Sequence, residues 1–260
     1  MFLAKKKLFT FPDNLEGVAS LNEGQYTAEE YQRLTDDGQI NLFESKNAVI
    51  AHYLKGNYLK WSSLNFLVDY LRGKCQFKSL ISFGSGYCVL EYFLSRYLEG
   101  KIYICATDKS EFFVKNAKQI FPEISVQGYD FTKDSLSSMM ENGQAPFDVG
   151  VAFGSFYVMD DEVFVEVLKS LKESGLQELI DFHSGCMNSM QVLSSIPFFE
   201  KLKSVNMVRR FFGKEAVSSE GQFHGYSRSR ASLRKIYRKS GWKVVQELSD
   251  KSYEYIAILQ

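Results

Sequence analysis

Proline is scarce in this chain, with four in 260 residues at positions 12, 122, 146 and 197. No Pro-rich linker, low-complexity tract or internal repeat divides it, so it reads as one core domain with a smaller attachment. Cysteine is as sparse. The four residues at 75, 88, 105 and 186 form no CxxC pair, and none lies near histidine at metal-ligand spacing. Buried free thiols in a reducing compartment are the expectation, and no metal is expected. No window approaches the roughly 20 apolar residues of a membrane helix. The apolar start Met1-Phe2-Leu3-Ala4, before Lys5-Lys6-Lys7, is too short for a secretion signal. These absences predict a cytoplasmic protein with no membrane partner. A surplus of either charge is also missing, because 31 basic side chains balance 31 acidic ones. Nothing global therefore calls for nucleic acid. Histidine occurs only three times, which leaves few imidazoles for acid–base chemistry.

What is present is a rhythm. The first 45 residues are polar and irregular, apart from Thr27-Ala28-Glu29-Glu30, which matches a capping box. Leu64, Leu67, Val68 and Leu71 then mark a helix face that ends near Gly73. From there short apolar strands alternate with amphipathic helices. Strands are predicted at 78–83, 102–107, 124–129, 147–153 and 176–182. Helices between them carry Val89, Leu90, Phe93, Leu94 and Tyr97; then Phe113, Ala117, Ile120 and Phe121; then Phe164, Val167, Leu168 and Leu171. Ser110 and Asp160 or Asp161 are expected as caps of the second and third of these helices. Beyond residue 183 the rhythm breaks for some 40 residues. Ser229 then caps a helix carrying Leu233, Ile236 and Tyr237, with Gly241 past its end. Two strands, 242–248 and 253–259, close the chain as an antiparallel pair. Buried strands alternating with helices specify an α/β fold: a doubly wound, Rossmann-like, mostly parallel sheet with an antiparallel C-terminal hairpin and an N-terminal helical cap. The expected division is a cap over 1–73 and a main domain over 74–260, with 184–226 inserted on the acceptor side.

In such folds ligands bind beyond the carboxyl ends of the strands. Three features fall there. The strand 78–83 runs into Gly84-Ser85-Gly86 and then a helix. Without Cβ atoms those glycines allow close approach to a ligand, and the helix start offers free N–H groups. Asp108 stands at the tip of the next strand, where a carboxylate can accept both hydroxyls of a ribose. Asp130 stands at the tip of the third, placed to accept from an adenine amino group. Either aspartate alone would pass for a turn residue capping a helix; three such features at successive strand ends point to one ligand.

At this point residues 78–182, with the 229–260 tail, resemble the class I S-adenosylmethionine-dependent methyltransferases. Ile81-Ser82-Phe83-Gly84-Ser85-Gly86-Tyr87-Cys88 is similar to their first motif, acid-x-Gly-x-Gly-x-Gly. The resemblance implies S-adenosylmethionine as cofactor, with Gly84, Ser85, Gly86 and Cys88 along its methionine part. It implies Asp108 on the ribose, with Lys109 beside it, and Asp130 and Phe131 flanking the adenine. The segment 147–161 resembles the fourth strand and the loop bordering cofactor and acceptor, which brings in Phe153 and Gly154. Two positions depart: Ser82 stands where the family has Asp or Glu, and Cys88 stands at the third glycine. A dehydrogenase GxGxxG fits less well, since its third glycine would be Val89.

Catalytic signals are fewer. His183 ends the fifth strand, and His224 and Tyr226 lie in the loop Gly221-Gln222-Phe223-His224-Gly225-Tyr226. These three are the candidates for activating an acceptor. Tyr26, Tyr31, Tyr53, Tyr58 and Trp61 are candidate pocket walls from the cap. Residues 200–243 hold twelve basic and three acidic side chains. Arg209, Arg210, Arg228 and Arg230 there suit an anionic acceptor, although a solvated helix face would look the same. The expected activity is methyl transfer to O or N of a small-molecule acceptor, with RNA as a less favoured partner because no nucleic-acid module is present. The alternatives are an NAD(P)-dependent oxidoreductase, an RNA methyltransferase, and a non-catalytic protein that kept the methyltransferase fold.

Overall fold

A computed structural model of the chain describes residues 5–10, 43–55, 61–139, 147–187, 222–249 and 255–260. Within them seven strands form one sheet. In chain order these are β2 (Ser79–Phe83), β3 (Tyr103–Asp108), β4 (Ser125–Gly128), β5 (Val149–Phe153), β6 (Glu178–His183), β8 (Val244–Leu248) and β9 (Tyr255–Leu259). Their spatial order is β4-β3-β2-β5-β6-β9-β8. The first five are mutually parallel, and β9 runs antiparallel to both β6 and β8. The order therefore reverses between β2 and β5, which opens a crevice at their carboxyl ends. The α/β class, the parallel sheet and its closing antiparallel pair are as the sequence pattern predicts.

Each central strand is buried on both faces, so alternate residues feed two cores. Leu80, Ile104, Ala106, Val149, Val151, Ile180 and Phe182 face one core. It is covered by helices α1 (Lys46–Lys55), α2 (Trp61–Arg72), α3 (Val89–Tyr97) and α4 (Glu111–Ile120), whose Val49, Leu64, Leu67, Leu94 and Ala117 are fully buried. Ile81, Phe83, Cys105, Ala152 and Leu179 face the other, against Phe164, Leu168, Leu233 and Tyr237 of helices α5 (Asp161–Glu173) and α6 (Arg230–Lys239). Complete burial of a side chain such as Leu64 or Leu168 stabilises the fold by about 2 kcal/mol. Gly150 shows how tightly the second core closes: an added Cβ would lie 2.8 Å from Leu176 and 2.9 Å from the Phe83 ring.

The caps follow their expected chemistry in two cases out of three. The Asp160 carboxylate accepts from the Val163 N–H, and the Ser229 hydroxyl from Ser232, starting α5 and α6. Ser110 precedes α4 without a side-chain bond; the Asp108 carboxylate reaches forward and takes the Ser110 N–H instead.

Two segments read as irregular are strands. β1 (Lys5–Thr10) pairs antiparallel with β7 (Gln222–Arg228) as a separate two-stranded sheet. The stretch containing His224 and Tyr226 is thus extended rather than a loop, and the start of the N-terminal segment joins the end of the 184–226 stretch. Neither strand alternates cleanly between polar and apolar residues, so periodicity carries no signal there. The register steps from Gly225 to Phe223, which leaves His224 as the extra residue of a bulge. Of the cysteines, Cys75 is exposed and the other three are buried; all are free. No helix among the described residues is long and apolar enough to cross a membrane. The capping box at Thr27, the aromatics Tyr26, Tyr31 and Tyr58, and the arginines 209 and 210 lie outside the described residues.

Candidate functional site

The site is built where β2 stops. Between Phe83 and α3 the chain takes left-handed conformations three times, at Gly84 (φ 69°), Gly86 (φ 53°) and Cys88 (φ 58°). For the glycines this costs little. Cys88 pays about 1–2 kcal/mol for it, which is the physical reason the resembling motif carries glycine there. The Ser85 N–H and hydroxyl both donate to the Thr107 carbonyl, at 2.9 and 3.1 Å, and the Cys88 N–H donates to Ser85 O at 2.9 Å. The turn is thereby tied to β3. Gly84 has a second reason to lack a side chain, since a Cβ there would sit 2.7 Å from the Ser155 Cβ in the loop after β5. Gly86 differs: among the described residues nothing lies within 4 Å of where its Cβ would be.

Asp108 ends β3 and closes on the same turn. Its Oδ2 accepts from the Gly86 N–H and its Oδ1 from the Ser110 N–H, both at 2.9 Å. Burial pushes its carboxyl up, and the backbone N–H groups of Ser110 and Gly86 partly offset this. Each oxygen retains a lone pair for a further donor. Lys109 reaches across to Asp130, with Nζ 3.1 Å from Oδ2. Asp130 Oδ1 also accepts from the Thr132 N–H and hydroxyl, at 3.1 and 2.5 Å. Burial works against the Asp130 anion, but these bonds and the Lys109 charge hold its carboxyl below the usual range. Phe131, next along, meets Phe156 edge-on at 5.5 Å. Phe153 packs on Phe182 with ring centroids 4.2 Å apart, and the Gly154 N–H donates to the Phe182 carbonyl at 2.9 Å. The glycine turn, Asp108 and Asp130 are therefore linked in sequence by direct contacts. Ser155 brings the loop after β5 against the same turn.

Ser82 sits one residue before the end of β2, on the face covered by α3. Its hydroxyl donates to Glu91 Oε1 at 2.5 Å. Glu91 is 1% exposed and its Oε2 has no hydrogen-bond partner among the described residues. Burial pushes its carboxyl up to about 7 against the lowering effect of the Ser82 bond. Tyr53, one of the candidate pocket walls, reaches this place from α1. Its hydroxyl is pushed upward by burial first and then by the nearby charges of Glu91, Tyr87, Cys88 and Asp108. Trp61 lies further off, edge-on to Phe93 at 5.4 Å.

The acid–base candidates are placed differently from one another. His183 does end β6, but its side chain is wholly buried, 5.9 Å from the Phe164 ring. Its Nδ1 is 3.1 Å from Asp181 Oδ2, which also accepts from the Tyr237 hydroxyl at 2.7 Å. That network is enclosed between β6, α5 and α6. Tyr226, half-buried on β7, lies under the Lys5 ammonium at 4.2 Å and the Arg228 guanidinium at 5.1 Å. Burial pushes its hydroxyl up. The backbone of His224 belongs to the same strand; its side chain is outside the described residues. Between them Gly225 abuts Tyr157, whose ring would be 2.4 Å from an added Cβ. β7 thus borders the loop after β5.

One expectation is corrected. Arg228 is not a surface anion receptor: it is completely buried, donates from Nε to Asp161 Oδ1 at 3.0 Å and from Nη2 to the Met159 carbonyl, and lies 5.5 Å over Phe164. It fastens β7 to the start of α5. Arg230 is exposed, near the Tyr255 ring. The residues missed in the sequence are Glu91 and Asp181. A carboxylate three residues before Leu94, on the buried stripe of α3, was the available signal for Glu91. Asp181 sits mid-strand in an apolar run, where a lone acid is out of place unless partnered. Among the described residues no group of three His, Cys, Asp or Glu side chains is arranged to hold a metal ion.

No family model and no curated protein matches the sequence. Solved structures do match the fold. An O-methyltransferase family protein from Burkholderia thailandensis superposes with a TM-score of 0.58 at 14% identity, over 96% of this chain and 66% of that one. The S-adenosylmethionine-dependent methyltransferase SibL gives 0.53 at 13% identity, over 90% and 69%. Magnesium protoporphyrin IX methyltransferase from Synechocystis PCC 6803 gives 0.52 at 15% identity, over 88% and 90%. With its strand order, its glycine turn at the end of β2 and these likenesses, the chain has the fold of the class I S-adenosylmethionine-dependent methyltransferases.

Proposed function

We propose that this protein transfers a methyl group from S-adenosylmethionine to oxygen or nitrogen of a small-molecule acceptor. The observation that carries the reading is the bond between the Gly86 N–H and the Asp108 carboxylate, which ties the glycine turn to the strand-tip acid. It brings the turn after β2 and the acid at the tip of β3 together at the carboxyl ends of the strands, beside the switch point of the sheet. The residues fit an adenosyl group. Gly84, Ser85, Gly86 and Cys88 would lie along its methionine part, with Ser155 behind them. Asp108 would take the ribose hydroxyls on its two remaining lone pairs, and Asp130 with Phe131 would border the adenine, Lys109 holding Asp130 in place. Phe153 and Gly154 would border cofactor and acceptor. The Synechocystis enzyme was crystallised with S-adenosylhomocysteine bound, which supports the cofactor.

When bound, the cofactor supplies an electrophilic methyl on a sulfonium and leaves as S-adenosylhomocysteine. The protein's share is then to align the acceptor with that methyl, and alignment supplies much of the rate of an in-line displacement. The acceptor side is assigned to β7 and the loop after β5, which meet at Gly225 and Tyr157. On this reading His224, a residue of β7, is the candidate base for a hydroxyl acceptor. Tyr226, held protonated by burial, serves as a hydrogen-bond donor. His183 is assigned a supporting part through Asp181 and Tyr237, since its ring is enclosed.

Calorimetry with S-adenosylmethionine, S-adenosylhomocysteine and NAD tests the reading. Binding of the first two and not the third is expected. Tight NAD binding without either adenosyl sulfur compound would overturn it in favour of an oxidoreductase.

A further inference from the structure

Two carboxyl groups border the glycine turn, Asp108 from β3 and Glu91 from α3. Neither is in an ion pair with any described residue. The one lysine beside them, Lys109, is paired with Asp130. Asp108 is supplied with two N–H donors. Glu91 accepts from the Ser82 hydroxyl, its own backbone N–H also favours the anion, and its second oxygen is buried with no partner among the described residues. A buried, half-satisfied carboxyl is costly to keep. Here it stands beside the segment that the methyltransferase reading assigns to the amino-acid end of the cofactor.

Resting on that reading, we propose that Glu91 is the counter-charge for the cofactor's ammonium group, delivered from the first turn of α3 through Ser82 because β2 carries no acid of its own. The groups facing Glu91 are Ser82 on β2, Asp108 on β3, Cys88 in the turn and Tyr53 on α1. Among the described residues none facing it is a cation, so an ammonium arriving there is the positive charge this cluster lacks. The pocket thereby selects a zwitterionic ligand over a neutral adenosine derivative of the same shape.

The proposal has a protonic signature. Burial holds Glu91 near 7 in the free protein, and Asp108 adds to the rise. A cation beside it lowers that value, so binding near pH 7 releases a fraction of a proton. Affinity for the zwitterion then climbs as pH rises towards 7 and levels off above it.

The test is isothermal calorimetry of the full chain with S-adenosylhomocysteine, which carries the ammonium, and methylthioadenosine, which does not. Titrations run at pH 6 to 8 in buffers of different ionisation enthalpy. Glu91→Gln is expected to weaken S-adenosylhomocysteine about tenfold or more, to abolish its proton release, and to leave methylthioadenosine within about twofold. Ser82→Asp added to Glu91→Gln, which moves the acid onto β2, is expected to recover most of the lost affinity. Retained methylthioadenosine binding shows that the variant is folded. Equal S-adenosylhomocysteine affinity in wild type and Glu91→Gln, or unchanged proton release, overturns the proposal while leaving the cofactor assignment standing. Failure of the wild type to bind either compound overturns both.

Discussion

The Gly86 N–H and the Asp108 carboxylate meet at 2.9 Å, and this bond joins the turn after β2 to the tip of β3. Asp108 thus fixes the turn, and the proposed function gives it a second task, accepting the ribose hydroxyls of the cofactor. Asp108→Ala is expected to weaken S-adenosylhomocysteine by about 100-fold, the scale of two charge-assisted hydrogen bonds. Asp108→Asn, which keeps the shape without the charge, falls between. Calorimetry beside a circular dichroism spectrum checks both; unchanged affinity would place the pocket elsewhere.

Gly84 and Ser155 are in closer contact than a side chain permits. Gly84→Ala meets the Ser155 Cβ at 2.7 Å and keeps a left-handed φ of 69°. We expect a loss of about 1–3 kcal/mol in urea unfolding. Adding Ser155→Gly should remove the contact part and leave the backbone part. A double-mutant cycle reads this as a coupling of about 1 kcal/mol, and strict additivity would mean the loop after β5 yields freely.

Glu91 makes the free protein less stable as pH rises. Its folded-state value near 7 exceeds the ordinary 4.5, so the native state holds the proton longer than the unfolded chain does. Stability is then lost progressively between pH 4.5 and about 7, by about 3 kcal/mol at 1.36 kcal/mol per pH unit. Glu91→Gln should flatten that slope and raise the melting temperature at pH 7.5. A variant that melts lower at that pH would show the carboxylate to be satisfied in the apo protein.

Asp161 has the opposite sign. Burial alone would raise its carboxyl, but hydrogen bonds and charge from Arg228 and Lys5 hold it below the ordinary range. Its contribution is therefore present above pH 4 or so and lost as pH falls through its lowered value. Asp161→Asn should destabilise the protein at neutral pH and reduce the acid dependence of unfolding. It also strands the buried Arg228 guanidinium, so Asp161→Asn with Arg228→Met should be more stable than Asp161→Asn alone.

The order of strands and helices, the position of the turn at 84–86 and the tips at Asp108 and Asp130 were legible in the sequence. Each is a local property: period-2 and period-3.6 burial, glycine where the backbone turns sharply, an acid where a strand ends. What lay beyond the sequence is long-range. Glu91 leans on Ser82, His183 is enclosed with Asp181 and Tyr237, Arg228 is drawn into the core by Asp161, and β1 pairs with β7 across more than 200 residues. Hydrophobic periodicity records which face of an element is buried. It does not record which polar group meets which across two elements, because that depends on the sheet order and on how closely a turn such as Gly84 lets its neighbours approach.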